Sequence, residues 1–596
     1  MASPTTAQFI LERLADDWGI RRVYGYPGDG IGGLTGAFHH VGDRIAFTQV
    51  RHEEIAAFAA TAHAKLTGEV GVCLATSGPG AIHLLNGLYD AKLDHQPVVA
   101  IVGQQARMSL GSEYQQEVDL GSLFKDVASE FVQVCMVPEQ AAHLVDRAMR
   151  TAKATRSPTC IIVPNDVQEL PYSPPPRAHG AVPSSSAGIR KPVVVPDVMA
   201  LTRAADILNA GERVAILVGQ GARGALTEIA EVAELLGAGV ARALNGRAVV
   251  PDDLPWVTGS IGLLGTKPSY DLMESCDTLL MVGTSFPYSE WLPEPGRARG
   301  VQIDIDARRI GTRYPTELNL VGDSAETLRA LLPLLEYKSG RAWREEIEGG
   351  VARWWKVLDE QAHLPADPIN PRLVFHELSP RLPDHAVLTA DTGTATDWWA
   401  RHLRVRAGMD AIVSGTLATM GPGVPYALAA KLAFPDRPVI AAVGDGAMQM
   451  LGMNALIDVA RYAEQWSDRR LVVAVLDNHD LNQVTWEERV MSGDPKLDAS
   501  QVLPDVDYAA YGRLLGLHGV RVERPEDVGP AWEEALAAGR PAVLDFVTDP
   551  EVPPLPPHVR FEQAKELAHA IVQGDPATPR FMKQSLRAKL SELLTR

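Results

Sequence analysis

Cysteine is scarce in this chain: Cys73, Cys135, Cys160 and Cys276 are the four among 596 residues. They lie far apart with no CxxC pair, which excludes a disulfide framework and a structural zinc site and leaves them as small buried hydrophobes. A surplus of basic charge is missing too. The formal net charge is −18, and no stretch clusters Lys and Arg as phosphate neutralisation requires, so nucleic acid is not the expected partner. No window approaches the roughly twenty uncharged apolar residues of a membrane-crossing helix. The N-terminal MASPTTAQFILERLADDWGI reads as an amphipathic helix after a Ser/Thr-rich start, without the basic region and unbroken apolar run of a secretory signal. A cytoplasmic protein is expected. There is also no GxGxxG fingerprint between strand and helix, which argues against a plain NAD-binding Rossmann protein.

What is present suits three domains, each long enough to bury a core. Hydrophobic residues make up 46% and charged residues 22%, and Gly and Pro are frequent without a repeating period, the profile of a globular α/β protein. Short apolar runs alternate with helical stretches over residues 20–175: RRVYGYPG, RIAFTQV, GEVGVCLATSGPG, QPVVAIVG and PTCIIVP. That βα repeat implies a parallel sheet. The Pro- and Ser-rich YSPPPRAHGAVPSSSAGIRKP reads as an extended linker. A second series contains GERVAILVGQGA, CDTLLMVGTSF and GVQIDIDARRIG, and a third contains AVLTADTG, PVIAAVGDGA, RRLVVAVLDN and PAVLDFV. The expected fold is therefore α/β, with three doubly wound parallel-sheet domains. Their bounds are 1–175, 193–335 and 371–550, with a linker at 176–192, a helical linker at 336–370 and a helical C-terminal tail at 551–596. Two readings of that tail stay open: packing onto the protein's own body or an oligomer neighbour, and contact with a lipid surface.

The chemistry is concentrated at strand ends. Gly444-Asp445-Gly446 follows the apolar run VIAAV, and Asn478 follows LVVAVLD. A carboxylate and an amide oxygen placed where doubly wound sheets bind ligands are hard donors suited to magnesium, which completes its shell with water and phosphate oxygens. Asp-Gly alone is ordinary turn chemistry, and the pairing with Asn478 gives it meaning. Arg51-His52-Glu53-Glu54 closes the strand IAFTQV before an Ala-rich helix, where one of the acids serves as an N-terminal charge. Ser77-Gly78-Pro79-Gly80, with Asn86 beyond it, lies between another strand and helix and reads either as a close backbone approach to a ligand or as a tight βα turn.

Together YPGDGI, RHEEIAAFAATAHAKLTG, SGPGAIHLLNGLYDAKLDHQPVVAIVG, GTLATMGPGVPYALAAK and GDGAMQM resemble the thiamine-diphosphate enzymes of the pyruvate oxidase and acetolactate synthase family, from about residue 5 to 570. The three domains would then be pyrimidine-binding, central and diphosphate-binding. The resemblance implies that Glu53 hydrogen-bonds the aminopyrimidine ring and activates the cofactor, and that Asp445, Asn478 and the carbonyl of Asp480 hold Mg2+. It implies that Met420 supports the bent cofactor, with Thr419 at the pyrimidine, and that Asp391, Thr392, Gly393, Thr394, Gly444, Gly446 and Ala447 cradle the diphosphate. Pro27, Gly28, Thr76, Gly78, Asn86 and Val484 complete the expected cofactor surface. Because Glu53 and Asp445 lie in different domains, the family's sites are built from two chains, so a dimer at least, and commonly a tetramer, is implied. Gln116 and Glu487 match positions that line the substrate side.

Within the family, VGTSFPYSEWLP, QIDIDARRIG and HVRFEQAKEL are most similar to flavin-dependent pyruvate oxidases, including the quinone-reducing pyruvate dehydrogenase whose C-terminal tail binds membrane. Peripheral membrane contact through the tail is thus kept open. Gly219, Gly221, Ala222, Arg223, Asp304, Asp306 and Asp323 resemble FAD-binding positions, with a relic fold lacking flavin as the alternative. The chain departs from those oxidases at Gln115 and Gln483, which replace two aromatics, and at Asn482, which replaces a glycine. GSIGLLGTKPSYDLM lacks a flavin-contacting Arg and is nearer to acetolactate synthase. The expected activity is decarboxylation of pyruvate or a related 2-oxo acid, with electrons passed through FAD to quinone or oxygen. The rivals are an acetolactate-synthase-type carboligase and a catalytically silent relative.

Overall fold

The structure, a computed structural model, describes residues 3–182, 185–190, 192–556, 558, 561–575 and 577–594. The chain divides into two compact units. One holds residues 1–191, 414–439 and 447–471; the other holds 192–413, 440–446 and 472–596.

The first unit is built on β1 (Arg22–Gly25), β2 (Ala46–Gln49), β3 (Gly71–Ala75), β4 (Val98–Gln104), β5 (Val132–Val134) and β6 (Pro158–Pro164), in the order β2-β1-β3-β4-β6-β5. Every pair is parallel. GVCLA, VVAIVGQ and PTCIIVP are buried along their whole length because helices cover both faces of the sheet, which is why these strands read as continuous apolar runs. The edge strands β2 and β5 are only partly covered. The strand order turns round between β1 and β3, and the ends of those two strands carry Pro27-Gly28 and Thr76. That is the switch point where such sheets bind ligands.

The second unit carries two further sheets. One contains β7 (Val214–Val218), β8 (Gly239–Arg242), β9 (Val257–Ser260), β10 (Thr278–Val282), β11 (Arg299–Asp304) and β12 (Leu318–Val321), in the order β12-β11-β10-β7-β8-β9. The other contains β13 (Val387–Ala390), β14 (Asp410–Ile412), β15 (Val439–Gly444), β16 (Leu471–Asp477), β17 (His518–Val522) and β18 (Ala542–Val547), in the order β14-β13-β15-β16-β18-β17. Buried cations join these two layers. Arg247 donates to the carbonyls of Trp399 and Leu403, and Asp252 accepts the amide of Val405 at 2.8 Å. The fold is therefore α/β with three six-stranded parallel sheets, as the βα repeat predicts.

All four cysteines are free and buried. Helices Phe561–Val572 and Thr578–Leu594 form the tail. Between them Asp575, fully buried, takes hydrogen bonds from Arg489 at 2.9 and 3.2 Å, and the Arg489 guanidinium lies 4.8 Å over Trp486 and 4.9 Å over Phe581. Of the two readings of the tail, packing onto the body is the one the described residues display. None of the described helices is long and apolar enough to cross a membrane.

Candidate active site

Each member of the Arg51–Glu54 motif has its own partner. Arg51 donates from its backbone amide and Nε to Asp458 at 3.0 and 3.1 Å. His52 caps the helix Glu53–Thr67 by accepting the Glu54 amide at Nδ1, so the cap is an imidazole and both acids lie in the first turn, where the helix dipole favours them. Glu54 accepts Asn86 Nδ2 at 2.6 Å, and the same amide nitrogen reaches Thr419 Oγ1 at 3.0 Å. Glu53 is 7% exposed and lies 2.9 Å from His83 Nδ1, whose ring stacks on His52 at 4.4 Å.

His83 is a member of this group that sequence reasoning missed. Its signal was faint: a histidine in the SGPGAIH turn, three residues before Asn86.

Glycines around Glu53 are small because neighbours press on them. A Cβ on Gly28 would meet Thr76 at 2.5 Å, and one on Gly80 would come within 3.0 Å of Glu53 Oε1. Gly78, at φ +61°, faces the Gln116 carbonyl at 2.8 Å from its would-be Cβ. Gln116 itself adopts φ 62°, and its Oε1 is buried without a hydrogen-bond partner. Gln115 is exposed. Thr419 and Met420 are half-buried, so Met420 is not core filler. Ala418 before them has φ 52° and Gly421 after them φ 106°, a strained turn that holds the pair in place. The structure thus brings Gly28, Thr76, Glu53, Gly80, Asn86 and Thr419 into one neighbourhood.

In the other unit, Asp445 and Asn478 follow the neighbouring strands β15 and β16. Asp445, 3% exposed, accepts the amides of Gly446 at 2.8 Å and Asn478 at 3.1 Å, and Asn478 Oδ1 accepts the Asp480 amide at 3.1 Å. Burial, reinforced by Asp477, pushes the Asp445 carboxyl up to about 8. Among the described residues, ligand atoms of Asp445, Asp477 and His479 lie within 4.8 Å of one another. An isolated carboxylate in that setting is costly, and a divalent cation is what makes it favourable, so the donor set fits Mg2+. The Asp480 carboxylate is committed to Lys496 at 2.9 Å, Asn482 at 2.9 Å and Thr485 at 3.0 Å, which leaves its carbonyl as the available donor. Asp477 and His479 were not singled out from sequence, although an acid ending an apolar strand beside Asn478 was a usable signal.

β13 and β15 flank the switch point of this sheet, and the Asp391 amide donates to the Ala442 carbonyl across it at 2.8 Å. Gly393, at φ 119° with open space where a Cβ would stand, caps the helix Thr394–His402. The amides at this helix start, and the open space around the missing Cβ of Gly444, suit a diphosphate. On the helix Asn482–Glu487, Gln483 Nε2 donates to Glu487 Oε1 at 3.0 Å while Gln483 Oε1 is buried without a partner. Val484 is exposed on the same helix.

The proposed flavin positions lie at the ends of β7, β11 and β12. Gly219 and Gly221 pack on the chain itself: their amides donate to the carbonyls of Val282 and Gly283 at 3.0 Å each, and a Cβ on either would strike Gly283. Their glycine identity is explained by packing without a ligand. Ala222 is buried and Arg223 exposed. Asp304 holds the Asp306 amide at 2.9 Å, Asp306 pairs with Arg308 at 3.0 Å, and Asp323 begins the helix Ser324–Leu331. Asp304 keeps acceptor capacity for a ribose hydroxyl beside the one amide it holds, so the donor set is compatible with a dinucleotide and does not require one.

Three family profiles cover these layers: thiamine pyrophosphate enzyme, N-terminal TPP binding domain, over residues 4–123; central domain, over 201–331; and C-terminal TPP binding domain, over 391–546. A protein of Bacillus subtilis strain 168, YdaP, provisionally described as thiamine pyrophosphate-containing, is 37% identical over 100% of both chains. The chain belongs to the thiamine pyrophosphate enzyme family. Pyruvate oxidase of Lactiplantibacillus plantarum is 29% identical over 93% of this chain and 90% of its own length. The probable acetolactate synthase large subunit of Methanocaldococcus jannaschii is also 29% identical, over 93% and 94%. The family thus accounts for a thiamine pyrophosphate enzyme, and pyruvate oxidase and acetolactate synthase both occur among these relatives.

Proposed function

We propose that this thiamine pyrophosphate enzyme decarboxylates pyruvate or a related 2-oxo acid with thiamine diphosphate and Mg2+, in the manner of a pyruvate oxidase, with electrons passing through FAD to a quinone or oxygen. The observation that carries the cofactor assignment is the pair of hard oxygen donors, Asp445 and Asn478, at adjacent strand ends beside the open amides of Gly393–Thr394. Bound thiamine diphosphate supplies the electron sink for loss of carbon dioxide. The chain's own residues do the rest. Asp445, Asn478 and the Asp480 carbonyl hold the metal, and Asp391, Thr392, Gly393, Thr394, Gly444, Gly446 and Ala447 hold the diphosphate. Glu53 holds a proton at the pyrimidine, Gly28, Thr76, Asn86, Thr419 and Met420 orient the ring, and Gln116 and Glu487 face the substrate. The functional assembly is a dimer at least, with a tetramer expected.

The second reading is a carboligase that joins the two-carbon fragment to a second carbonyl compound. It is favoured by the internal packing of Gly219 and Gly221 against Gly283 and by the amides Gln115 and Gln483 where oxidases carry aromatics. An anaerobic visible spectrum of the protein with thiamine diphosphate and Mg2+, before and after pyruvate, separates the two. Bleaching of a bound flavin band supports the oxidase. Bound but unbleached flavin, or no flavin with consumption of pyruvate, supports the carboligase.

A further inference from the structure

The helix Ala342–Ala362 and the helix Pro371–Leu378 are consecutive and meet at a corner made by residues 363–370. Two imidazoles and a carboxylate converge there. Asp359 stands in the last turn of the first helix, His363 caps it, and His376 projects from the second helix. His376 Nε2 lies 3.3 Å from Asp359 Oδ1, and the two imidazole rings meet edge to face with centroids 4.9 Å apart. One ligand atom from each of the three residues lies within 4.8 Å of the others. No step of the proposed reaction uses them.

We infer that Asp359, His363 and His376 form a binding site for a borderline transition cation of the zinc, nickel, cobalt or copper class. Imidazole nitrogen with one carboxylate oxygen is a donor set for such ions and not for Mg2+, which prefers oxygen alone. His363 Nδ1 lies 2.8 Å from the Asp359 carbonyl; donating there fixes the ring and leaves Nε2 as the ligand, the arrangement that orients metal-bound histidines elsewhere. Bonds of about 2.0–2.2 Å need ligand atoms somewhat closer together than 4.8 Å. The exposed Asp359 side chain can close that gap by rotation, with water completing the shell.

The corner also supports the tail. Gln584 Nε2 and Arg587 donate to the Pro365 carbonyl at 3.1 and 3.2 Å, and Gln361 Nε2 reaches the Ala588 carbonyl at 3.5 Å. A bound ion would tie the two helix ends beneath it.

The experiment is a calorimetric titration of Zn2+ alone into full-length protein stripped with chelator and reloaded with excess Mg2+, with Co2+ as a visible probe of nitrogen coordination. His52, Glu53 and His83, and Asp445, Asp477 and His479, are the other two clusters of this kind among the described residues, so the titration is repeated in His83→Asn and His479→Asn. The expected result is one Zn2+ per chain that survives in both of those variants. It weakens by roughly tenfold or more in His363→Gln and in His376→Gln. Both substitutions are at a half-exposed corner, and circular dichroism verifies that the fold is kept. Equal Zn2+ binding in the His363→Gln/His376→Gln double variant, or no Zn2+ uptake in the presence of Mg2+, would overturn the assignment.

Discussion

Glu53 differs from its neighbours in what its side chain is tied to. Arg51, His52 and Glu54 are spent on Asp458, on a helix cap and on Asn86, whereas Glu53 touches the partly exposed imidazole of His83. A carboxyl group held by a single titratable neighbour is the one free to trade a proton with a ligand. Glu53→Gln is expected to lower turnover by about 10²- to 10⁴-fold with thiamine diphosphate still bound, as a cofactor-fluorescence titration would check; turnover within threefold of the parent would remove Glu53 from the mechanism. A second buried acid makes a stability prediction. Burial, opposed by Arg401 and reinforced by Glu487, pushes Asp397 up to about 7, and its Oδ2 has no hydrogen-bond partner. The folded state therefore holds this proton more tightly than the unfolded chain does. The stability it confers is complete below the ordinary carboxylate range near 3.8 and is lost as pH rises through about 7. Asp397→Asn should be more stable than the parent above pH 7, by at most about 4 kcal/mol from three pH units, and indistinguishable near pH 4; denaturant midpoints at the two pH values measure it.

The helix Glu53–Thr67 carries Glu53 at its first turn and a buried cation at its last. Lys65 Nζ meets Asp94 at 2.7 Å, Tyr426 Oη at 2.7 Å and Asp90 at 3.5 Å, while Asp94 also takes the amides of Gly415 and Thr416 at 3.0 and 2.9 Å. One ion pair thus fastens the turn that leads to Thr419 and Met420. Removing the cation strands two carboxylates in the interior, which costs about 3–5 kcal/mol. Lys65→Met is expected to lose that much in urea denaturation and, at temperatures where it is folded, to need more thiamine diphosphate for half-saturation; an unchanged cofactor requirement would separate the clamp from the site. None of this network was legible in the sequence, because its members are up to 361 residues apart. Strands were legible in proportion to burial. β3, β4, β6, β7, β10, β15, β16 and β18 are covered on both faces and announce themselves as apolar runs, whereas VQV, DAI, HGVRV and LNLV are short edge strands, partly exposed, with little apolar contrast. The strand ends bearing Asp445 and Asn478 could be read because both follow such runs. His83, Asp477 and His479 gave little signal, since a single titratable residue in a turn has meaning only once its neighbours are known.

Across the whole molecule a charge of −18 repels phosphate-rich surfaces, and the tail's basic residues must be weighed against that field. The tail is also internally committed. Arg489 is fully buried between Asp575, Glu551, Trp486 and Phe581, so undocking the tail would leave a guanidinium with half its carboxylate partners gone and two aromatic faces uncovered. Breaking a buried pair by removing one partner costs several kcal/mol, far more than a few surface lysines gain from anionic lipid at physiological salt. Asp575→Ala is therefore expected to lower the melting temperature by about 5–10 °C, with the loss largest in the unit that holds Arg489. In a flotation assay with anionic vesicles the parent should stay with the soluble fraction while Asp575→Ala, with its tail released, floats in part. Flotation of the parent at physiological salt would mean that the docked tail is one of two stable positions and that lipid pays the cost of undocking it.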